Sequence, residues 1–156
     1  MRWLKLTAFS FLFSSFLFIA CEEESHLVPA EYAGNSIGMT GTQEVPIVTT
    51  SATGTIKASY SQFSKTLVYT VTFSGLSGNA SAAHIHGTAE QGVNAGVLQT
   101  FNGFPAKAAG TYSGSLLIDG VKFLEESLLA GKYYMNIHTA ANPGGEIRGQ
   151  LVLTKQ

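Results

Sequence analysis

Cysteine is nearly missing from this sequence, because Cys21 is the only one among 156 residues. A single cysteine excludes an intramolecular disulfide, and it cannot build a cysteine-rich zinc or iron–sulfur site. Charge is also scarce: Asp, Glu, Lys and Arg make up 12% of the residues, about half of the usual ~25%. The formal net charge is −1 and no basic run occurs. Nucleic acid is therefore not an expected partner, since neutralising phosphates requires clustered Lys and Arg.

The motifs of common catalytic sites are missing as well. The sequence has no G-x-S-x-G elbow, no phosphate-binding loop and no recognisable pair of catalytic carboxylates. Ser and Thr are plentiful, but their abundance is typical of strands and turns, and no catalytic triad can be assigned from it. We therefore expect a protein that is not an enzyme.

Residues 1–20 have the composition of an export signal. Arg2 and Lys5 form a short cationic start, and five of the ten Phe residues of the chain lie in this segment. The uncharged run that follows, about 15 residues long, is shorter than the ~20 residues that span a bilayer. It ends at Phe18-Ile19-Ala20-Cys21, which resembles the cleavage box of bacterial lipoproteins. That resemblance implies a lipoprotein-type signal peptide over 1–20 and lipidation of Cys21.

Residues 21–31 are predicted to form an acidic tether between the lipid anchor and a folded domain. Glu22-Glu23-Glu24-Ser25 resembles the export signal of surface lipoproteins in some bacteria. We expect a cell-envelope protein anchored to the outer membrane through its lipid, and surface exposure is the further expectation. The alternative is an ordinary secreted protein in which Cys21 is incidental. His26 lies in the tether and is interpreted as a solvated bystander.

Residues 32–154 are predicted to form one all-β domain. Apolar/polar alternation, broken by Gly and Asn turns every 8–12 residues, is typical of an antiparallel β-sandwich of Greek-key or immunoglobulin-like type. Strands are predicted at 54–60, 66–73, 81–87, 96–101, 110–118, 132–139 and 145–153. One short helix is predicted near 120–130, capped by Asp119 and ended by Gly131.

Three of the four histidines fall on one predicted face of the sheet. Side chains two apart in a strand point the same way, so His84 and His86 project together. In the strand at 132–139, the same alternation puts Asn136 and His138 opposite the apolar residues. In the strand at 145–153 it puts Glu146, Arg148 and Gln150 on the polar side. These residues share one surface if the strand at 81–87 lies beside the last hairpin.

Three imidazoles on rigid strands favour a transition-metal site. His84, His86 and His138 are candidate ligands for copper or zinc, with one coordination position left open. Asn136, Glu146 or a backbone carbonyl is expected to orient the second imidazole nitrogens. A His₂Cys blue-copper site is excluded, because the mature domain has no cysteine.

The competing interpretation gives these polar residues a structural role only. The histidines would then hydrogen-bond loop carbonyls and the Glu146 carboxylate. Glu146 and Arg148, two apart on one strand, would pair with each other or hold a loop. Glu44, with Val45 and Pro46, would anchor the start of the sandwich in the same way.

Four ordered segments resemble one known family. They are TQEVP at 42–46, AHIHG at 83–87, LAGKYYMNIHT at 129–139 and NPGGEIRGQ at 142–150. Together they resemble the chordin (CHRD) domain over about 32–154. The resemblance implies a sandwich fold in an exported protein, and it does not by itself transfer the growth-factor partner of animal chordin.

Three functions therefore compete. The first is a lipid-anchored, non-enzymatic module that binds copper or zinc through the three histidines. The second is a cell-surface module that recognises a protein or a glycan, with histidines that only support the fold. The third is a redox metalloprotein, because the His-x-His strand is also similar to copper–zinc superoxide dismutase. That similarity is weaker, since the dismutase's disulfide cysteines and bridging ligand set are missing.

Overall fold

The computed structural model describes residues 29–156. Predictions about the signal peptide, Cys21, His26 and most of the tether concern residues outside this range. Along the described chain, strands dominate, with one 3₁₀ turn and one short helix. In chain order these elements are β1 (Glu31–Thr40), the 3₁₀ turn (Gly41–Gln43), β2 (Thr53–Ser61), β3 (Thr66–Ser74), β4 (Ala80–His86), β5 (Val97–Thr100), β6 (Gly110–Leu117), α1 (Glu125–Leu129), β7 (Tyr134–Thr139), β8 (Ile147–Gln150) and β9 (Thr154–Lys155).

The strands form one continuous antiparallel sheet. Their hydrogen-bonded order is β5-β4-β7-β8-β1-β2-β3-β6, and β9 pairs with β1. The twist of neighbouring strands curls this sheet until its two ends face each other. Phe101, directly after β5, stacks on Tyr69 of β3 and on Tyr112 of β6, with ring centroids 5.2 and 5.0 Å apart. The predicted all-β fold is confirmed, and both layers of the sandwich belong to one sheet.

The apolar residues that alternate along the predicted strand at 66–73 form part of the core, as predicted. In β3, Leu67, Tyr69, Val71 and Phe73 point inward, and each is at most 2% exposed. Burying an apolar side chain of this size contributes about 1.5–3 kcal/mol, so one such row is a large share of a domain's stability. All seven predicted strands occur within a few residues of their predicted bounds.

β1 was not predicted, although it lies in the middle of the sheet. Gly34 and Gly38 interrupt its apolar pattern, and the pairing register with β2 shifts between Gly34 and Ile37. A bulge of this kind breaks the strict alternation by which a strand is recognised. Gly34 is required here, because a Cβ at this position would lie 2.9 Å from the carbonyl oxygen of Val152.

The predicted helix is present but shorter than expected. It spans Glu125–Leu129, and Asp119 does not cap it. The Asp119 carboxylate instead accepts hydrogen bonds from the backbone N–H groups of Val121, Lys122 and Phe123, at 2.8–2.9 Å. It therefore orders the turn before the helix. Gly131 ends the helical segment at a φ of +69°, as its left-handed role requires.

β7 and β8 are buried on both faces. Glu146, Arg148 and Gln150 lie on the predicted polar face, yet each is at most 4% exposed. Loops cover this face: the Arg148 guanidinium donates to the carbonyl of Val93 at 3.0 Å, and Gln150 Nε2 donates to the carbonyl of Gly131 at 2.7 Å. Alternation predicts which face carries these side chains, but it cannot show which loops fold over that face.

Candidate metal centre

Two neighbouring strands place the three histidines together. β4 carries His84 and His86, and β7 carries Asn136 and His138. In the antiparallel register His84 is opposite Asn136, and Ala82 is opposite His138. Because side chains two apart share a face, all four side chains project from the same side of the sheet.

The histidine nitrogens approach each other closely. One potential ligand atom from each of His84, His86 and His138 lies within 4.8 Å of the other two. The shortest separation joins Nδ1 of His84 to Nε2 of His138, at 3.0 Å. Ligands of one tetrahedral ion with metal–nitrogen bonds of about 2.0–2.1 Å are roughly 3.4 Å apart. The cluster is therefore close to the size that a single ion requires.

Backbone carbonyls fix the orientation of two of the rings. Nδ1 of His86 lies 2.9 Å from the carbonyl oxygen of Ala95, and Nδ1 of His138 lies 2.9 Å from that of Pro143. A carbonyl oxygen only accepts, so each Nδ1 must carry the proton and donate it. In a neutral ring, Nε2 is then left with a free lone pair. This arrangement orients a metal-binding histidine.

The free lone pairs meet the oxygen of an amide. Asn136 Oδ1 lies 2.9 Å from Nε2 of His86 and 2.9 Å from Nε2 of His138. All three of these atoms are acceptors, and His84 Nδ1 is the one ring nitrogen that can donate among them, toward His138. Acceptors that converge in a buried site without enough donors repel each other. A cation at the cluster would remove this repulsion.

Protonation of His84 or His138 does not supply the missing donors near neutral pH. Burial, together with the neighbouring His138 and His86, lowers the pKa of His84 to about 4. Burial also lowers the pKa of His138, although its bond to the Pro143 carbonyl acts in the opposite direction. Both rings are therefore neutral at pH 7, which is the form that binds metal.

A buried carboxyl group lies behind Asn136. Glu44 is 5% exposed, and its side chain faces the amide of Asn136. Burial raises the pKa of Glu44 to about 7, and the positive charge of Arg148 and the hydrogen bond from Asn136 offset this only in part. Gly145 makes room for Glu44, because a Cβ there would overlap Oε1. A carboxylate here favours the observed amide orientation, in which Oδ1 points toward the imidazoles.

Arg148 supports the site through a stack of rings. Its guanidinium carbon lies 3.3 Å from the ring centroid of Tyr134, and Tyr134 in turn stacks on His86 at 4.7 Å, with an interplanar angle of 2°. The Tyr134 hydroxyl accepts a hydrogen bond from the backbone N–H of Ala95 at 3.1 Å. Arg148 and Tyr134 thus hold the loop whose carbonyl orients His86.

A comparison with family models matches residues 36–151 to the CHRD domain. The chain belongs to the CHRD domain family. The match covers most of the chain and extends from β1 to just past β8, so it includes every residue of the histidine cluster. Neither the curated proteins nor the solved structures that were compared contain a significant match. Membership in the family supports a binding module rather than an enzyme.

Glu146 takes no part in the cluster of this CHRD domain. Its carboxylate accepts hydrogen bonds from the backbone and side chain of Ser77 and from the hydroxyls of Thr50 and Thr139, at 2.7–2.8 Å. Burial raises the pKa of Glu146, but these donors outweigh it and lower the pKa to about 2. Within residues 29–156, Glu146 forms neither the predicted ion pair with Arg148 nor a hydrogen bond to a histidine. Both residues hold loops instead.

The sequence predicts carbonyl partners for the histidines but does not identify them as those of Ala95 and Pro143, and it does not predict the position of Glu44. The carbonyls of Ala95 and Pro143 leave no signal in side-chain chemistry, since any residue could supply them. The position of Glu44 behind Asn136 depends on how the loop after β1 folds over β7. That loop was predicted to anchor the start of the sandwich, and it is held in place, because Asn94 Nδ2 donates to the carbonyl of Val45 at 2.7 Å.

In the described part of the chain, no helix is long and apolar enough to cross a membrane.

Proposed function

We propose that this chain is an exported, lipid-anchored CHRD-domain module that binds one transition metal ion, copper in preference to zinc. His84, His86 and His138 would supply three imidazole ligands, and Asn136 would contribute its amide oxygen or orient the rings. Glu44 would orient the amide of Asn136, and Arg148 would support His86 through the ring of Tyr134. The remaining position would be open to water or to a ligand from a partner.

The convergence of acceptor atoms supports this proposal most strongly. Nε2 of His86, Nε2 of His138 and Oδ1 of Asn136 face one another at hydrogen-bond distance, while the two Nδ1 protons are used by carbonyls. Histidines with a purely structural role would be expected to pair each acceptor with a donor. A cation bound at the cluster would satisfy all of these atoms together.

Copper is preferred on the chemistry of the donors. Neutral imidazoles bind both metals, but divalent copper binds nitrogen sites more tightly than zinc does. The domain offers no thiolate to favour a zinc cluster, because Cys21 is the only cysteine. We therefore infer that copper binds with the higher affinity and that zinc competes for the same site.

The anchor rests on sequence features outside the described residues. The lipoprotein-type box ending at Cys21, followed by an acidic tether, supports attachment to the outer membrane with the domain in the cell envelope. Intact-mass analysis of the membrane fraction should show an N-terminus that starts at an acylated Cys21. Recovery of an unmodified Cys21 there would contradict the anchor without affecting the metal proposal.

Calorimetric titration tests the metal site directly. One equivalent of Cu(II) should bind to the wild-type protein, and His86→Ala should lower the affinity at least about 10-fold, because loss even of a ligand-orienting group costs that much. His26→Ala is the matched control, since this histidine lies in the tether, and it should bind copper as the wild type does. Equal Cu(II) and Zn(II) affinities for His86→Ala and the wild type would contradict the site.

A structural role for the histidines is the second candidate, and one observation favours it. The bonds from His86 to Ala95 and from His138 to Pro143 hold two loops that cover the sheet. In that case His138→Ala would lower the melting temperature in metal-free buffer, and chelators would leave the melting temperature of the wild-type protein unchanged. Under the metal proposal, added copper raises the melting temperature and a chelator reverses this effect.

A further inference from the structure

One end of the domain carries both the start of the described chain and several exposed apolar side chains. Ala30 is bound there by two hydrogen bonds to Gln62, from its N–H to Oε1 and from the Gln62 N–H to its carbonyl, both 3.1 Å long. Gln62 lies in the turn between β2 and β3. The chain coming from the tether therefore joins the domain beside this turn.

Three apolar side chains project from this end. Phe63 in the β2–β3 turn is 84% exposed, Val121 is 87% exposed, and Leu117 at the end of β6 is 58% exposed. The backbone brings their segments together, because the N–H of Ile118 donates to the carbonyl of Lys65 at 2.8 Å. We call Phe63, Leu117 and Val121 the apolar tip. Single exposed hydrophobics are ordinary, but several on adjoining loops mark an interaction surface.

The length of the tether limits how far this end lies from the anchor. Eight residues, 22–29, lie between Cys21 and Ala30, so the two are nine residue steps apart. Even a fully extended chain spans at most about 3.3–3.6 Å per residue, so nine steps reach about 30 Å. An anchored Cys21 would therefore keep the end of the domain that carries the apolar tip near the bilayer surface.

We propose that the apolar tip docks on the lipid surface beside the anchor, with Phe63 inserted at the interface. This inference rests on the lipid anchor in the proposed function. A lipid anchor and an aromatic side chain inserted into the bilayer interface would give the domain two membrane contacts. Two contacts fix the orientation of a peripheral domain on the membrane. The lysine beside Phe63 does not drive the contact, because Lys65 is paired with Glu125 at 2.7 Å.

Docking would point the histidine cluster away from the membrane. β1 runs from Glu31, beside the apolar tip, to Thr40 at the other end of the sheet. Thr40 is opposite Arg148 in β8, and Arg148 is opposite Asn136 in β7. A ten-residue strand is about 33 Å long. The metal site would then face the aqueous side, where ions or a partner can reach it.

A single introduced tryptophan tests the docking. The only tryptophan of the chain, Trp3, lies in the predicted signal peptide, so Phe63→Trp in the full lipidated protein reports on one position. In vesicles containing brominated lipids its emission should shift to the blue and be quenched severalfold more strongly than in the control. The control is Ile47→Trp, because Ile47 is 70% exposed in the loop at the opposite end of β1.

Three outcomes would overturn the docking. If both variants float with the vesicles and are quenched equally weakly, the anchor holds the protein but the apolar tip does not touch lipid. If the emission of the Phe63→Trp variant is already blue-shifted without lipid, residues of the tether or a second copy of the chain cover the apolar tip instead. If neither variant floats with the vesicles, the anchor itself is wrong, and the docking fails with it.

Discussion

Glu44 and Glu146 are both buried glutamates on the covered face of the sheet, yet their surroundings give them opposite properties. Four donated hydrogen bonds lower the pKa of Glu146 to about 2, despite its burial. Glu44 has fewer donors, and its Oε1 lacks a hydrogen-bond partner, so burial raises its pKa to about 7. Burial alone therefore does not decide the charge of a carboxyl group. The donors around it do.

The two glutamates therefore have different roles: Glu146 supports the fold, and Glu44 belongs to the surroundings of the candidate metal centre. Glu146 ties the loops at 50 and 77 to the β7–β8 hairpin, and its bonding capacity is fully used there. Glu44 faces Asn136, whose amide oxygen faces two imidazoles. A change at Glu146 should therefore act on folding, whereas a change at Glu44 should act on the candidate metal centre and on its pH dependence.

The largest effect is expected from Glu146→Ala. Removal of the carboxylate leaves buried donors of Ser77, Thr50 and Thr139 without an acceptor, which should cost about 3 kcal/mol in the free energy of unfolding. The melting temperature should fall by roughly 10 °C. Thermal and urea unfolding measure this. The control Glu90→Gln removes an exposed carboxylate and should change little. Equal melting temperatures for Glu146→Ala and the wild type would show that the hydrogen bonds do not matter.

Gly145→Ala should reduce stability less than Glu146→Ala does, but it should also weaken metal binding. The residue has a φ of +130°, where a side chain is strained, and its Cβ would overlap Oε1 of Glu44. We expect a loss of about 2 kcal/mol in the free energy of unfolding and weaker binding of Cu(II). Gly144→Ala is the neighbouring control, because a Cβ there meets no atom within 4 Å. If Gly145→Ala bound copper with wild-type affinity, the position of Glu44 would have no effect on the metal site.

Glu44→Gln should change the pH dependence of stability more than stability itself. The folded protein keeps a proton on Glu44 up to about pH 7, whereas the unfolded chain releases it near pH 4.5. The wild type should therefore lose roughly 2–3 kcal/mol of stability as the pH rises from 4.5 to 7, and the variant should not. Urea titrations of metal-free protein at several pH values measure this.

Glu146→Gln provides the opposite slope in the same measurement. The low pKa of Glu146 stabilises the fold above pH 4.5, and this contribution is lost as the pH falls from 4.5 toward 2. Replacing Glu146 should remove the acid-side slope and leave the slope between pH 4.5 and 7 in place. If Glu44→Gln and Glu146→Gln gave the same pH profile, the contrast between the two carboxyl groups would be wrong.

Much of the fold follows from local patterns. The alternation in β3 marks the core face, and the same rule places His84, His86, Asn136 and His138 on one surface. β1 was missed because Gly34 and a bulge interrupt its pattern. The cover over the polar face could not be predicted, since the burial of Arg148 depends on a loop more than fifty residues away in sequence. Glu44 behind Asn136 is a long-range contact of the same kind.

The most direct test of the metal site is the electron paramagnetic resonance spectrum of the protein loaded with one equivalent of Cu(II). Pulsed measurements should detect three coordinated imidazoles, and His84→Ala, His86→Ala and His138→Ala should each remove one of them. His26→Ala should leave the spectrum unchanged. A spectrum that shows fewer imidazoles, or that is the same in the wild type and in His138→Ala, would contradict a copper centre at this cluster.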